Sequence, residues 1–332
     1  MHLIPHSYPN IDEQDFNYVR KCFELEFVGF DNNLEIEISN IFLDYVNMKY
    51  INTTTSASTS LNIILKYLNL CKNDEIIIQA INCWSVYNTI VQNDIKCILC
   101  DLKSQNSFLP SYESIEKYIT SNTKAIILTH MYGNMLDINI LKRIKNNFPN
   151  IKLIEDFSTS IFSKKDYKIG TYSDFAISSF GSTKPITAGI GGLLCSEIKI
   201  YSNNYDIKQD KILSINTKLS RLNQSLLISQ LKKYYHYQER KQKIINFYKK
   251  FVNIYLENSD DLFRTITFDD VSNLLNFLKF YDIEIDYRTS VQPNLAKELK
   301  ATHLLNAFNF KQYYSLPLNI KMYQILKEKG LL

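Results

Sequence analysis

Four short apolar runs constrain this chain most: residues 76–78, 98–100, 125–128 and 151–154. Each is strand length, and between the later ones lie helical patterns. One begins at Asp137, placed to cap a helix carrying Ile138, Leu141, Ile144 and Phe148. Runs that are apolar on both faces and alternate with helices make an α/β fold with a mostly parallel sheet covered on both sides. Upstream, Asp12 is placed to cap a helix with Phe16, Val19 and Phe23 on one face, and Asp15 completes a capping box. Leu61, Ile64, Leu65 and Leu68 give the stripe of another helix. Residues 219–255 read as one long helix or two in succession, with Arg240, Lys241 and Lys243 on a solvated face. The 332 residues exceed one small domain. The expected division is a large domain over 1–250 and a smaller C-terminal α+β domain over 251–332.

Several function classes drop out. No stretch approaches the ~20 apolar residues that span a bilayer, so no membrane role is expected. The first ten residues lack a basic segment followed by an apolar one, so no signal peptide is expected. The 38 basic residues exceed the 34 acidic ones by four, too few to point to nucleic acid. Six cysteines are too sparse for a disulfide scaffold. Cys97 and Cys100 form a C-x-x-C inside a strand pattern, where positions three apart point to opposite faces and do not converge on a metal.

Glycine usage points to one place. Of only 8 glycines, Gly170, Gly181, Gly189, Gly191 and Gly192 fall within 23 residues. They mark either a cluster of tight turns or a backbone that closely approaches a ligand. In open parallel sheets ligands sit at the carboxyl ends of strands. Asp156 ends the strand pattern of residues 151–155, as a site residue or as a turn or helix cap. After the next strand pattern comes Ser178-Ser-Phe-Gly-Ser-Thr-Lys-Pro185. A lysine shielded in such a loop would lose basicity, and a neutral amine can form a Schiff base. Ser179, Ser182 and Thr183 could hold a phosphate beside it. The plainer alternative is a turn with a solvated Lys184. His130, after a strand end, reads as a structural hydrogen-bonded residue.

The ordered set of motifs resembles the DegT-type sugar aminotransferases, which use pyridoxal 5′-phosphate (PLP) on an aspartate-aminotransferase-like fold. It comprises the opening Ile4-Pro-His-Ser-Tyr-Pro9, Thr55-Ser-Ala-Ser-Thr-Ser-Leu61, Thr129-His-Met-Tyr-Gly133 and Ile154-Glu-Asp156. It continues through Ser179 to Lys184, Gly191-Gly192 and Leu316-Pro-Leu318. The resemblance implies a large domain built on a seven-stranded-type sheet. It implies that Lys184 holds PLP covalently and moves a proton, and that Asp156 faces the pyridine nitrogen. Ser179, Ser58 and Thr59 would bind the phosphate, with Asn216 and Lys218 reaching it from the other subunit of a homodimer. The family's glycine before the phosphate-binding pair is Ala57 here, which suggests an altered turn, since Ala tolerates positive φ poorly. The family's Gln or His three residues after the Asp falls on Thr159. Its stacking aromatic falls on Cys83, with Trp84 one place later, and either could meet the ring.

The function so implied is transfer of an amino group, from a donor such as glutamate, to a keto sugar, itself nucleotide-linked, for surface polysaccharide or glycoconjugate synthesis. The Asn, Ile, Lys and Tyr bias suggests an AT-rich genome, hence a bacterial, cytoplasmic enzyme. One rival is a PLP- or PMP-dependent sugar dehydratase of the same family. Those typically carry His in place of the lysine, so Lys184 argues against it. The other rival is a non-catalytic homologue with a binding role.

Overall fold

The computed structural model describes residues 2–24, 28–163, 167–200, 217–257, 262–289 and 291–332. Along the chain the strands are β1 (His2–Ile4), β2 (Tyr50–Thr54), β3 (Glu75–Gln79), β4 (Lys96–Cys100), β5 (Thr123–Thr129), β6 (Lys152–Asp156), β7 (Phe175–Ser179), β8 (Gly192–Ser196), β9 (Thr265–Thr267), β10 (Ile283–Ile285), β11 (Arg288–Thr289) and β12 (Tyr314–Leu316). The helices are α1 (Glu13–Glu24), α2 (Asn32–Phe42), α3 (Ala57–Tyr67), α4 (Trp84–Gln92), α5 (Tyr112–Glu116), α6 (Ile138–Asn147), α7 (Arg221–Lys232), α8 (Tyr234–Tyr248), α9 (Ser272–Phe280), α10 (Leu295–Glu298), α11 (Leu305–Phe308) and α12 (Ile320–Glu328).

The central sheet has seven strands in the order β2-β8-β7-β6-β5-β3-β4. Every neighbouring pair from β7 to β4 is parallel, while β8 runs antiparallel to both β7 and β2. β3 and β8 are buried along their whole length, which is why Ile76 to Ile78 and Leu193 to Cys195 run apolar without alternation. β4 is an edge strand, exposed at its start. Its Cys97 and Cys100 are free thiols, and burial pushes Cys97 up to about 12. α3 buries Leu61, Ile63, Ile64 and Leu65, and α6 buries Leu141 and Ile144 after an Asp137 side chain that accepts from the Asn139 N–H.

Two helix faces lie otherwise than their patterns suggest. The aromatic face of α1 points outward, with Phe16 56% and Phe23 63% exposed. The face against α7 is polar instead. Asp15 accepts from the Lys233 ammonium and the Gln230 amide, and Cys22 Sγ lies 3.0 Å from Ser225 Oγ. The capping box itself forms, with the Asp12 N–H donating to Asp15 at 2.9 Å. Lys241 is likewise not part of a solvated face. It is 2% exposed, its ammonium donating to the Leu262 carbonyl and lying 5.2 Å from the ring centres of Tyr234 and Tyr237. The rings and the carbonyl replace the water that its neighbours on α8 keep.

Beyond the main core a second apolar cluster forms from Ile244, Ile245, Phe247, Tyr248, Leu274, Leu278, Met322 and Leu326. It includes Ile4, because β1 pairs in parallel with β10. The last turns of α8 and the first strand of the chain thus pack with the segment that follows residue 250.

Candidate active site

Strand register assembles the site. Gly192 opens β8 and pairs with Thr54 on one side and Ser179 on the other, so the start of β8 and the ends of β2 and β7 meet in one row. β2, β5, β6 and β7 end at this same edge, and Thr129 lies opposite Asp156. A side chain at Gly192 would place its Cβ 2.3 Å from the Ser56 carbonyl carbon. Only glycine lets β8 lie this close to the start of α3.

α3 begins in a dense hydroxyl cluster. Ser56 caps it, accepting from the Thr59 N–H at 3.0 Å, while Thr55 Oγ1 and Thr59 Oγ1 are 2.9 Å apart. The first N–H groups of a helix have no partner within it and favour an anion. Ala57 is the first residue of α3 and is not among the residues with positive φ, so its side chain costs the turn nothing.

A cavity of about 150 Å³ opens at this edge. Ser58, Cys83, Asp156, Thr159, Ser179 and Lys184 line it, together with Asn82, Ser158 and Gln292. Among the lining residues Lys184 is the sole cation and Asp156 the sole carboxylate. Burial holds the Lys184 amine below the usual lysine range; Asp156 and Cys83 oppose that, and Arg264 reinforces it. Asp156 is 5% exposed, with one carboxylate oxygen accepting from the Ser158 N–H at 2.9 Å. Thr159 Oγ1 donates to the His130 carbonyl and accepts from the Tyr132 N–H, which fixes the loop after β5. Behind the site His130 is fully buried. Its Nδ1 accepts from the Leu136 N–H, which leaves Nε2 to donate to Glu155 at 3.0 Å.

Other candidates lie apart from the cavity lining. Thr59 is engaged by Ser56 and Thr55. Trp84 packs edge-on against Tyr87 at the start of α4, whereas Cys83 faces the cavity. The Lys218 ammonium lies 4.2 Å from the Phe30 ring centre, and the Thr217 carbonyl accepts from the Thr55 N–H. Asn216 lies outside the described residues. Asn82, Ser158 and Gln292 line the cavity but escaped the reading of the sequence. Asn82 follows the end of β3 and donates to Thr129 Oγ1, so strand-end position could have flagged it. Gln292 sits in a loop without pattern, and no signal marks it.

The donor set suits a phosphorylated pyridine aldehyde: an amine, a carboxylate, hydroxyls and a helix N-terminus around one cavity. Residues 9–329 match the DegT/DnrJ/EryC1/StrS aminotransferase family. The chain belongs to that family. Similar members of known description include GDP-perosamine synthase of Escherichia coli O157:H7, 25% identical over 280 residues, which are 80% of this chain and 76% of that protein. Another is UDP-4-amino-4,6-dideoxy-N-acetyl-beta-L-altrosamine transaminase of Campylobacter jejuni, 26% identical over 265 residues, 75% of this chain and 69% of that one. The DegT-family fold extends over the whole chain. Spr1654 of Streptococcus pneumoniae, assigned as a sugar aminotransferase, superposes in its PLP-form with TM-score 0.80 and 19% identity, covering 99% of this chain and 98% of that one. The Escherichia coli GDP-4-keto-6-deoxy-D-mannose-3-dehydratase with bound hydrated PLP gives TM-score 0.77 and 18% identity, with both chains covered fully (100%).

Proposed function

We propose that this DegT-family chain is a PLP-dependent aminotransferase that moves an amino group from an amino acid, glutamate being the donor expected, to a nucleotide-linked keto sugar. The observation that carries the reading is the Lys184 amine, held below its usual basicity by burial, in one cavity with Asp156 and the hydroxyls at the start of α3. When bound, PLP supplies an electron sink that lets an amino group leave one carbon skeleton and enter another. Lys184 attaches the cofactor through Nζ and carries a proton to and from the reacting carbon. Asp156, the carboxylate of the cavity lining, would pair with the ring nitrogen and favour its protonated form. Ser58, Ser179 and the N-terminus of α3 would hold the phosphate, and Cys83 and Thr159 would stand beside the ring. The relatives named for amino sugar synthesis support the substrate class, and Lys184 in place of the His typical of the family's dehydratases supports transfer over dehydration. The reading places the enzyme in the bacterial cytoplasm, in surface polysaccharide synthesis. The test is a panel of keto sugar nucleotides incubated with glutamate. The expected result is an amino sugar nucleotide by mass together with 2-oxoglutarate. Water loss without nitrogen gain in every case would favour the dehydratase.

A homodimer with shared sites is part of this proposal. A buried phosphate dianion calls for more than neutral hydroxyls, and Lys184 serves the cofactor itself. Asn216 and Lys218 of a second copy are the candidate phosphate partners, and the exposed Phe16 and Phe23 suit a further packing surface. Lys184→Ala protein mixed with an Asn216→Ala/Lys218→Ala double variant should recover activity on subunit exchange, because each mixed dimer carries one intact site. Verified exchange with no recovery would remove the shared site.

A further inference from the structure

Among the described residues, Gln292 is the one member of the cavity lining that follows Lys184 in the chain. The groups that suit the cofactor all come from residues 56–184, so Gln292 is what the C-terminal region brings to the site. Its backbone is pinned. The Gln292 N–H donates to the Tyr313 hydroxyl at 2.9 Å, and the Pro293 carbonyl accepts from the Asn82 N–H at 3.3 Å. Asn294 forms a bridge with Ile81 and donates from Nδ2 to the Ala307 carbonyl at 2.6 Å. The Leu295 N–H donates to the Ala80 carbonyl at 2.9 Å. The loop is thus fastened to residues 80–82, directly after β3.

The side chain is free where the backbone is not. Two carboxamides line the cavity. That of Asn82 is spent inside the protein: Nδ2 donates to Thr129 Oγ1 at 3.2 Å and Oδ1 accepts from the Cys83 N–H at 2.7 Å. That of Gln292 makes no hydrogen bond among the described residues. A carboxamide offers two N–H donors and an acceptor oxygen, and it carries no charge. A phosphate or an amino acid's carboxylate is an acceptor only and is held best by cations. A sugar ring presents hydroxyl and acylamino groups that donate as well as accept, and these match a carboxamide at both ends. A polar group on a fixed backbone discriminates well, because a ligand without the matching group leaves it unpaired.

We propose that Gln292 is a specificity-determining residue for the acceptor, its carboxamide hydrogen-bonding a hydroxyl or acylamino group of the sugar beside the carbon that receives the amine. That the sugar is an amino acceptor rests on the aminotransferase reading; the sugar contact at Gln292 does not. The experiment is calorimetry on the cofactor-loaded protein, comparing UDP with UDP-N-acetylglucosamine and GDP with GDP-mannose. Neither sugar carries a ketone, so binding is read without reaction. Wild type, Gln292→Leu and Gln292→Asn are measured, and circular dichroism checks that each is folded. At least one sugar nucleotide should bind the wild type more tightly than its nucleotide alone. Gln292→Leu should weaken that sugar nucleotide about 10-fold and shift the nucleotide alone by less than about 2-fold. Gln292→Asn, with the amide on a shorter stem, should fall between. Wild-type affinity for the sugar nucleotide in either folded variant would overturn the proposal. So would a wild type that gains nothing from the sugar, or an equal loss for the nucleotide alone. Gln292-dependent sugar binding in a protein whose cofactor spectrum never responds to glutamate would keep the contact and remove the transaminase reading instead. A spectrum that responds to glutamate, with sugar binding indifferent to Gln292, would do the reverse.

Discussion

Lys184→Ala is expected to abolish turnover, a loss of about 10³-fold or more, while the fold stays intact. The size follows from two duties falling on one amine: attachment of the cofactor and proton transfer at the reacting carbon. The fold should survive because Lys184 makes no ion pair among the described residues, and burial works against its charge. Burial disfavours the charge while Asp156 favours it, so thermal stability without cofactor should change little. The variant should still retain PLP through the phosphate contacts, but borohydride should no longer fix the cofactor to the chain. Peptide mapping of the reduced wild-type protein checks the assignment directly. A cofactor-bearing lysine other than Lys184 would overturn it.

What was legible in the sequence divides along a physical line. β3, β5 and β6 could be read because full burial forces unbroken apolar runs, and Asp156 because it ends one of them. The Ser179 to Lys184 loop stood out because polar and small residues there interrupt two buried strands. Register is different in kind. Nothing local says that Thr54 joins Gly192 and Ser179 in one row, since that is decided by antiparallel pairing of β2 with β8, more than a hundred residues further along the chain. The orientation of α1 is hidden for a related reason. Its aromatic stripe has helical period, yet Gln230 on α7 and Lys233 just after it offer Asp15 partners on the opposite face. Lys241 and Arg264 look like ordinary surface cations in one dimension, and only the packing of rings and carbonyls around them shows otherwise. Gln292, in an unpatterned loop, joins the site solely through the fold.

Asp156→Asn should keep the cofactor bound but slow transamination on the order of 10²–10³-fold. Asparagine has nearly the same shape, and the Ser158 N–H bond at 2.9 Å can be made to the amide oxygen, so the loop after β6 should hold. What the amide lacks is charge. A carboxylate facing the ring nitrogen favours its protonated form, and a neutral amide does not. The reacting carbon's developing negative charge then has a weaker sink, so the cost falls on proton removal and not on binding. A lower kcat with a nearly unchanged cofactor affinity is therefore the expected split. A primary kinetic isotope effect with α-deuterated glutamate should grow as that step becomes limiting. Thr159→Ala supplies the contrast. Its hydroxyl bridges the His130 carbonyl and the Tyr132 N–H, both backbone groups, so its loss should loosen the loop and change the rate far less. Near-normal turnover in Asp156→Asn would make Asp156 a cap for the turn at Ser158, a role the amide could fill as well as the acid.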